Sequence, residues 1–337
     1  MSDLRTRYLG LDLSNPLVPS ASPLSRDLDI ARRLEDSGAA AIVMYSLFEE
    51  ELRQEEEQML RFLHEQAIGH AEAQTFFPQP DIYFSGLDNY LTQLRNLKEA
   101  LSIPVIASLN GISLSGWVEH GRELEAAGAD ALELNVYYIA AEIEESGVAV
   151  ENRYIELVRE LSRQVRIPIT VKLSSQFSAI AHMVKRLEQA GATGVALFNR
   201  FYQPDIEIET MKIKPHLQLS TSIESRLAMR WIAILHGRTQ LSLAATGGIH
   251  TAEDVIKMLL AGADVTHLCS ALLINGAQHL GQIKRDINIW LDEHEYDSVS
   301  QLKGSMSYQH ASDPAAFERV NYLFVLDSYK PSSGVWR

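Results

Sequence analysis

Two stretches of this chain place chemistry-bearing residues where an anionic ligand can be held. The first is Leu241 to Leu272, reading LSLAATGGIHTAEDVIKMLLAGADVTHLCSAL. Its apolar run Leu241 to Ala245 ends in Thr246-Gly247-Gly248, and a helical pattern follows, with Thr251 at the N-cap and Val255, Met258 and Leu259 at helical spacing. Gly262 closes that helix, and a second apolar run, Val265 to Cys269, ends at Ser270-Ala271. Each run is a strand followed by a small-residue turn that opens a helix. Backbone N–H groups at such helix starts point outward with partial positive charge, which suits a phosphate. A single Gly-Gly is more often only a tight turn. The pairing of two such turns at the end of an α/β chain gives the reading as a phosphate cradle, since barrels carry one after strands 7 and 8.

The second stretch is TVKLS, with Lys172 inside an apolar strand. A lysine is costly to bury unpaired, so this one should face a ligand or an acid. Other polar residues stand where inward strand positions meet a barrel mouth: Ser20 and Ser22, Tyr45, Ser108 and Asn110, Asn135, Asn199 and Arg200, Thr246, and Ser270. A lone residue of this kind is usually a satisfied core group. One at nearly every strand end points to a lined site, because buried polar groups need partners. His267 reads as a core or rim histidine rather than a catalyst. Cys269, beside the cradle, reads as a small packing residue, since the chain shows no clear activating partner for a thiolate.

The elements that must position these residues come from an internal repeat. RLEDSGAAAIVMYS (33–46), ELEAAGADALELNV (123–136), RLEQAGATGVALFN (186–199) and MLLAGADVTHLCS (258–270) are each a helix end, a glycine and an apolar strand. Between them lie Leu17–Ala21, Val105–Leu109, Ile169–Leu173 and Leu241–Ala245, three of which follow a proline. Eight near-continuous apolar strands alternating with helices predict a closed (β/α)8 TIM barrel. The competitor, a doubly wound sheet, lacks its G-x-G-x-x-G after the first strand. Arg5 to Leu13 reads as a strand pair turning at Gly10. Insertions follow strands 2, 4 and 6: a charged helical segment Glu49 to Ala73 with a Phe- and Pro-rich loop Thr75 to Ser85, a loop Tyr137 to Gly147, and a β-hairpin within Gln203 to Thr221 over the mouth. The expectation is one domain over 1–337, ending in a helical tail at about 296–330.

The bulk properties narrow the function. The chain has 337 residues, 46% of them hydrophobic, and a net charge of -14. That charge argues against nucleic acid or an anionic membrane as a main partner, though a local cradle can still hold an anionic small molecule. A single cysteine excludes an internal disulfide and makes a reducing cytoplasm the expected compartment. It also excludes an iron–sulfur cluster of its own, so an electron relay would need a separate subunit. No cysteine and histidine cluster has metal-ligand spacing, and no stretch approaches the ~20 apolar residues of a membrane helix.

In their order, LGLDLSNPLVPSAS, GADALELN, PITVKL, FN and ATGGIHTAEDVIKMLLAGAD resemble the FMN-dependent dihydroorotate dehydrogenase family over about residues 5 to 290. With no hydrophobic extension at its start, the chain is similar to the soluble branch. The resemblance implies an oxidoreductase that exchanges hydride between flavin N5 and a C–C or C=C bond, with FMN as cofactor and a homodimer as the assembly. Position by position, it implies that Gly247, Gly248, Cys269 and Ser270 hold the FMN phosphate and that Ser20, Ala21 and Ser22 lie against the ring. Lys172 stands near flavin N1 and O2, while Asn135 and Asn199 contact flavin or substrate. Tyr45, Asn110, Ser222 and Thr246 complete the expected cofactor set. The chain departs from the family where dihydroorotate would bind. The catalytic base position falls on Tyr138, with Tyr137 beside it, a second asparagine becomes Ala140, the strand-2 lysine becomes Tyr45, and an Asn-Ser pair becomes Asn199-Arg200. The expected catalytic set is therefore Lys172, Tyr138 and Asn135, with Tyr45, Tyr137, Asn199 and Arg200 toward the substrate. A different chemistry also fits a buried lysine and a phosphate cradle: a phosphosugar aldolase with Lys172 as Schiff-base nucleophile. A barrel that binds FMN without catalysis is the third reading.

Overall fold

A computed structural model describes residues 2–52, 86–111, 114–201, 203–214 and 217–318. The charged segment to Ala73 beyond Leu52, the Thr75 to Ser85 loop and the tail beyond 318 lie outside the described residues. The chain opens with an antiparallel pair, β1 (Thr6–Tyr8) and β2 (Leu11–Leu13), as the Gly10 turn led us to expect. The first six barrel strands are β3 (Leu17–Pro19), β4 (Ile42–Phe48), β5 (Val105–Asn110), β6 (Ala131–Asn135), β7 (Ile169–Leu173) and β8 (Gly194–Leu197). An exposed antiparallel ribbon follows, β9 (Asp205–Glu207) and β10 (Lys212–Lys214), and then the last two barrel strands, β11 (Ser242–Thr246) and β12 (Val265–Leu268). The helices are α1 (Leu28–Asp36), α2 (Gly86–Ala100), α3 (Leu114–Ala126), α4 (Gly147–Gln164), α5 (Ile180–Ala190), α6 (Ser225–Leu235), α7 (Ala252–Ala261), α8 (Ser270–Asn275), α9 (Gln278–Glu293) and α10 (Val299–Leu302).

Eight strands pair in parallel in the order β3-β12-β11-β8-β7-β6-β5-β4. The two ends of that order meet where the Ala40 N–H donates to the Leu17 carbonyl at 3.0 Å, which closes the (β/α)8 barrel. Buried on both faces, the strands are apolar outward against the helices as well as at the base of the interior.

The repeat is built as its glycines require. Gly38, Gly128, Gly191 and Gly262 have φ of 103°, 101°, 105° and 114°, values a side chain would strain. At each, the next residue's N–H reaches back to the helix: Ala39 to Leu34, Ala129 to Leu124, Ala192 to Leu187 and Ala263 to Met258. The residue two beyond the glycine then does a second job in three of the repeats. Asp130 accepts the Val105 N–H at 2.7 Å, Thr193 the Ile169 N–H at 2.8 Å, and Asp264 the Leu243 N–H at 2.7 Å. Each bond ties the turn before an even strand to the start of the preceding odd one, at its first residue in β5 and β7 and its second in β11. In the first repeat Asn15 makes the link from the other side, accepting the Leu17 N–H at 2.9 Å and donating to the Gly38 carbonyl at 2.9 Å.

The β1–β2 pair plugs the base of the barrel. Tyr8 and Leu9 pack against the interior residues Val18, Val43, Ile106, Ala131, Ala244 and Val265, and the Tyr8 hydroxyl donates to Thr170 at 3.2 Å. Above this layer the inward positions turn polar: Glu133 then Asn135 on β6, Lys172 on β7, His267 on β12. β4 runs past its expected end at Tyr45 to Phe48, with a register irregularity between Val43 and Ser46, so Tyr45 leaves the inward alternation.

Asp264 carries two loads, the Leu243 N–H and the Lys303 ammonium at 2.8 Å. Asp264→Ala leaves both without their acceptor and is expected to lower stability by about 1–3 kcal/mol, read as a lower thermal midpoint. An unchanged midpoint would mean the joint is not what holds β11.

Candidate functional site

The C-terminal ends of β3, β7, β8, β11 and β12 surround a cavity of about 600 Å³, within the size range of cofactor sites. At one end lie the two turns singled out in the sequence. Thr246, Gly247 and Gly248 follow β11, and Cys269 and Ser270 follow β12; all five line the cavity. Gly248 sits at φ 72°, and a Cβ there would come within 2.5 Å of the Ser225 backbone N and 2.8 Å of the Thr221 carbonyl. Only glycine lets this turn close against the start of α6. Cys269 caps α8 without a side-chain bond, and Ser270 at the start of that helix lines the cavity. Ser220, which sequence reasoning did not single out, completes this end. Its N–H donates to Ser270 Oγ at 3.1 Å, and its own hydroxyl lies 3.0 Å from Ser270 Oγ and 3.2 Å from His250 Nε2. The turn is braced from behind by Asp254, which accepts the His250 and Thr251 N–H groups at 3.0 Å and the Ser222 hydroxyl at 2.7 Å. Ser222 thus points to Asp254 and does not line the cavity.

The middle and far end are lined by Ser20, Ala21, Ser22, Lys172, Phe198 and Asn199. Lys172 Nζ donates to Ser20 Oγ at 3.3 Å and stands 3.5 Å from Glu133 Oε1. The acid that a buried lysine demands is therefore Glu133, fully enclosed one position before Leu134-Asn135 on β6. It was missed as a partner, although ALELN breaks an apolar run just as ITVKL does. Behind Lys172, His267 is fully buried with its Nδ1 3.6 Å from Glu133 Oε2. Burial pushes the His267 imidazole down to about 4, against the opposing pull of Glu133. Burial also pushes the Cys269 thiol up, with Lys172 pulling weakly the other way. Asn199 Nδ2 donates to Asn135 Oδ1 at 2.6 Å, so Asn135 holds a lining residue without lining the cavity itself.

The rim brings together Tyr137, Arg200 and Phe201. Tyr137 stacks on Phe201 with centroids 4.2 Å apart. Arg200 Nε lies 2.9 Å from Glu224 Oε2, and a second guanidinium nitrogen donates to the Gln218 carbonyl, so the guanidinium is oriented at the mouth. The β9–β10 ribbon leads into this rim through Gln203, Pro204 and Asp205. Besides Ser222 and Asn135, three more of the expected residues lie outside the lining. Tyr138 donates to Glu145 at 2.5 Å under the Arg153 guanidinium and does not line the cavity; the bond to Glu145 is the main cause of a raised phenol pKa. Tyr45 packs edge-on against Tyr90 with Arg26 over its ring. Asn110 lines a separate small pocket beside Glu49 and Trp117.

A family model described as dihydroorotate dehydrogenase matches residues 82–291. Relatives include dihydroorotate dehydrogenase A (fumarate) of Lactobacillus delbrueckii subsp. bulgaricus, 27% identical over 89% of this chain and 97% of that protein. The catalytic subunit of dihydroorotate dehydrogenase B (NAD(+)) from Shouchella clausii is 27% identical over 90% of this chain and 98% of its own length. The corresponding subunit from Anoxybacillus flavithermus is 30% identical over 65% of this chain and 72% of its own.

The His267 environment has a consequence for stability. An imidazole held neutral when folded takes up a proton only on unfolding between its ordinary value and about 4. The unfolded chain then binds more protons, so stability falls as pH drops through that window. His267→Gln removes this contribution. The thermal midpoint of the variant is expected to fall less than the parent's between pH 6.5 and 4; parallel curves would refute the buried neutral imidazole.

Proposed function

This chain belongs to the dihydroorotate dehydrogenase family, and from that premise we propose that it is an FMN-dependent oxidoreductase acting on a C–C or C=C bond of a small anionic substrate. The observation that carries the reading is that Lys172 and the two turns at Gly248 and Ser270 line one cavity. An anionic tail, a linker and a flat ring fit this donor set: backbone N–H groups and hydroxyls at one end, a cationic side chain at the other, and small side chains of Ser20, Ala21 and Ser22 along the wall. Bound FMN supplies hydride chemistry at ring N5. The chain's own residues bind and orient it. Thr246 to Gly248 and Ser270 take the phosphate, Lys172 stabilises negative charge at the ring's edge in a largely enclosed floor, and Asn199, held by Asn135, contacts the ring or substrate.

The substrate side is carried by Arg200, Tyr137 and Phe201. A guanidinium already oriented by Glu224 and Gln218 suits a carboxylate or phosphate on the substrate. The stacked Tyr137–Phe201 pair suits a flat apolar portion. Tyr137 faces the cavity and is the better placed of the two tyrosines to exchange a proton with substrate. A tyrosine hydroxyl is a better proton donor than base at neutral pH, which favours reduction of a C=C bond. Tyr138, bound to Glu145, orders the loop instead. With tyrosines and Ala140 in place of the base and second asparagine, the substrate is one other than dihydroorotate. The lyase alternative needs Lys172 as a free amine, and the Glu133 carboxylate 3.5 Å away favours its use as a charge.

The first test is the absorption spectrum of freshly purified protein, followed by anaerobic addition of dihydroorotate and of NADH. A flavin spectrum that a donor other than dihydroorotate bleaches supports the proposal; a colourless protein that cannot be loaded with FMN overturns it. Once a turnover assay exists, Tyr137→Phe is expected to lower kcat by about 10²-fold or more, while Tyr138→Phe acts more on KM through the loop. Arg200→Met is expected to raise KM for an anionic substrate by roughly 10- to 100-fold, the worth of a charged hydrogen bond.

A further inference from the structure

At and beneath the cavity floor, three buried side-chain polar atoms lack a hydrogen-bond partner among the described residues: both ring nitrogens of His267, which lines the floor, and Glu133 Oε2 below it. Glu133 has no exposed surface and does not line the cavity, so it cannot touch a ligand there. Its two oxygens face different neighbours. Oε1 is 3.5 Å from Lys172 Nζ, and Oε2 is 3.6 Å from His267 Nδ1. The other titratable groups that interact with it are Tyr8, edge-on to the His267 ring with centroids 5.9 Å apart, and Tyr90, whose hydroxyl donates to the Ser108 carbonyl. Neither ion contact is a close, fully bonded pair. Such a buried charge cluster adds little to stability, and apolar residues of the same volume would serve a core as well or better. What the carboxylate does change is the field at Lys172, the cationic group that lines the cavity.

We propose that Glu133 is the positioning residue for Lys172: it seats the ammonium at the floor of the FMN site and offsets part of its charge there. The proposal rests on the FMN reading above. It assigns to a residue outside the cavity the balance between binding of oxidised and of reduced FMN. With the carboxylate present, the reduced ring's negative charge meets an ammonium already partly neutralised. Without it, the same ammonium acts unopposed and reduced FMN gains over oxidised FMN.

The test measures the affinity ratio of reduced to oxidised FMN, or equivalently the two-electron potential of the bound cofactor. The proteins compared are the holoenzyme, Glu133→Gln, Lys172→Met and the double variant. Glu133→Gln is expected to raise the ratio at least tenfold, which is about 30 mV upward. In the Lys172→Met background the same substitution is expected to change it less than twofold, because the ammonium through which the carboxylate acts on the ring is gone. A change below twofold with Lys172 present, a change of opposite sign, or an equal change without Lys172 overturns the proposal. If the amide variant does not fold, Glu133→Met, of similar volume and without charge, carries the same comparison. A parent protein that binds no FMN fails the functional reading; a parent that binds FMN while Glu133→Gln is silent fails this proposal alone.

Discussion

One buried ion contact, Lys172 to Glu133, constrains the rest of the site. Strands β6 and β7 pair with Asn135 opposite Lys172 and Glu133 opposite Thr170, so carboxylate and ammonium sit diagonally across the ladder on the inward face. The contact exists only if both strands hold that register, since a one-residue slip of either strand turns its charge into the apolar shell under the helices. The repeat joints act on this requirement. Asp130 and Thr193 anchor the first residues of β5 and β7, and the β1–β2 plug fixes the layer beneath through Tyr8 and Thr170. The barrel base is thus an apolar frame that allows a polar floor above it.

The mouth is built by a different logic. The cradle is backbone held by close packing and short side chains: Gly248 against the Ser225 backbone, the Ser220 N–H on Ser270 Oγ, with the Asp254 carboxylate tying the turn to α7. Such a site tolerates little change in conformation and says little about substrate. The opposite rim is made of long side chains on loops, Arg200, Phe201 and Tyr137, whose positions depend on partners such as Glu224. One end of the cavity is thus held by short turn contacts and the other by long side chains.

The barrel was legible because its signal repeats: four glycines, eight apolar runs and three prolines all carry the same message. The cradle and Lys172 were legible because glycine pairs and a charged residue inside a strand are rare and physically costly. Glu133 carried the same signal and went unused, since the sequence does not say which acid meets a given lysine. Side chains just past a strand end were the least readable. Ser222 turns to Asp254, Tyr138 to Glu145, and Tyr45 leaves the inward face because β4 bulges. Loop direction, set by long-range partners, decides those positions, and periodicity has no hold on them. Ser220 next to Ser270 is a contact across 50 residues of chain that no local pattern encodes.

The most direct measurement is a crystal structure of the protein loaded with FMN. The phosphate is expected within hydrogen-bond distance of the backbone N–H groups at Gly248 and Ser270, and the isoalloxazine ring against Lys172 Nζ. A phosphate bound elsewhere, or a ring turned away from Lys172, would contradict it.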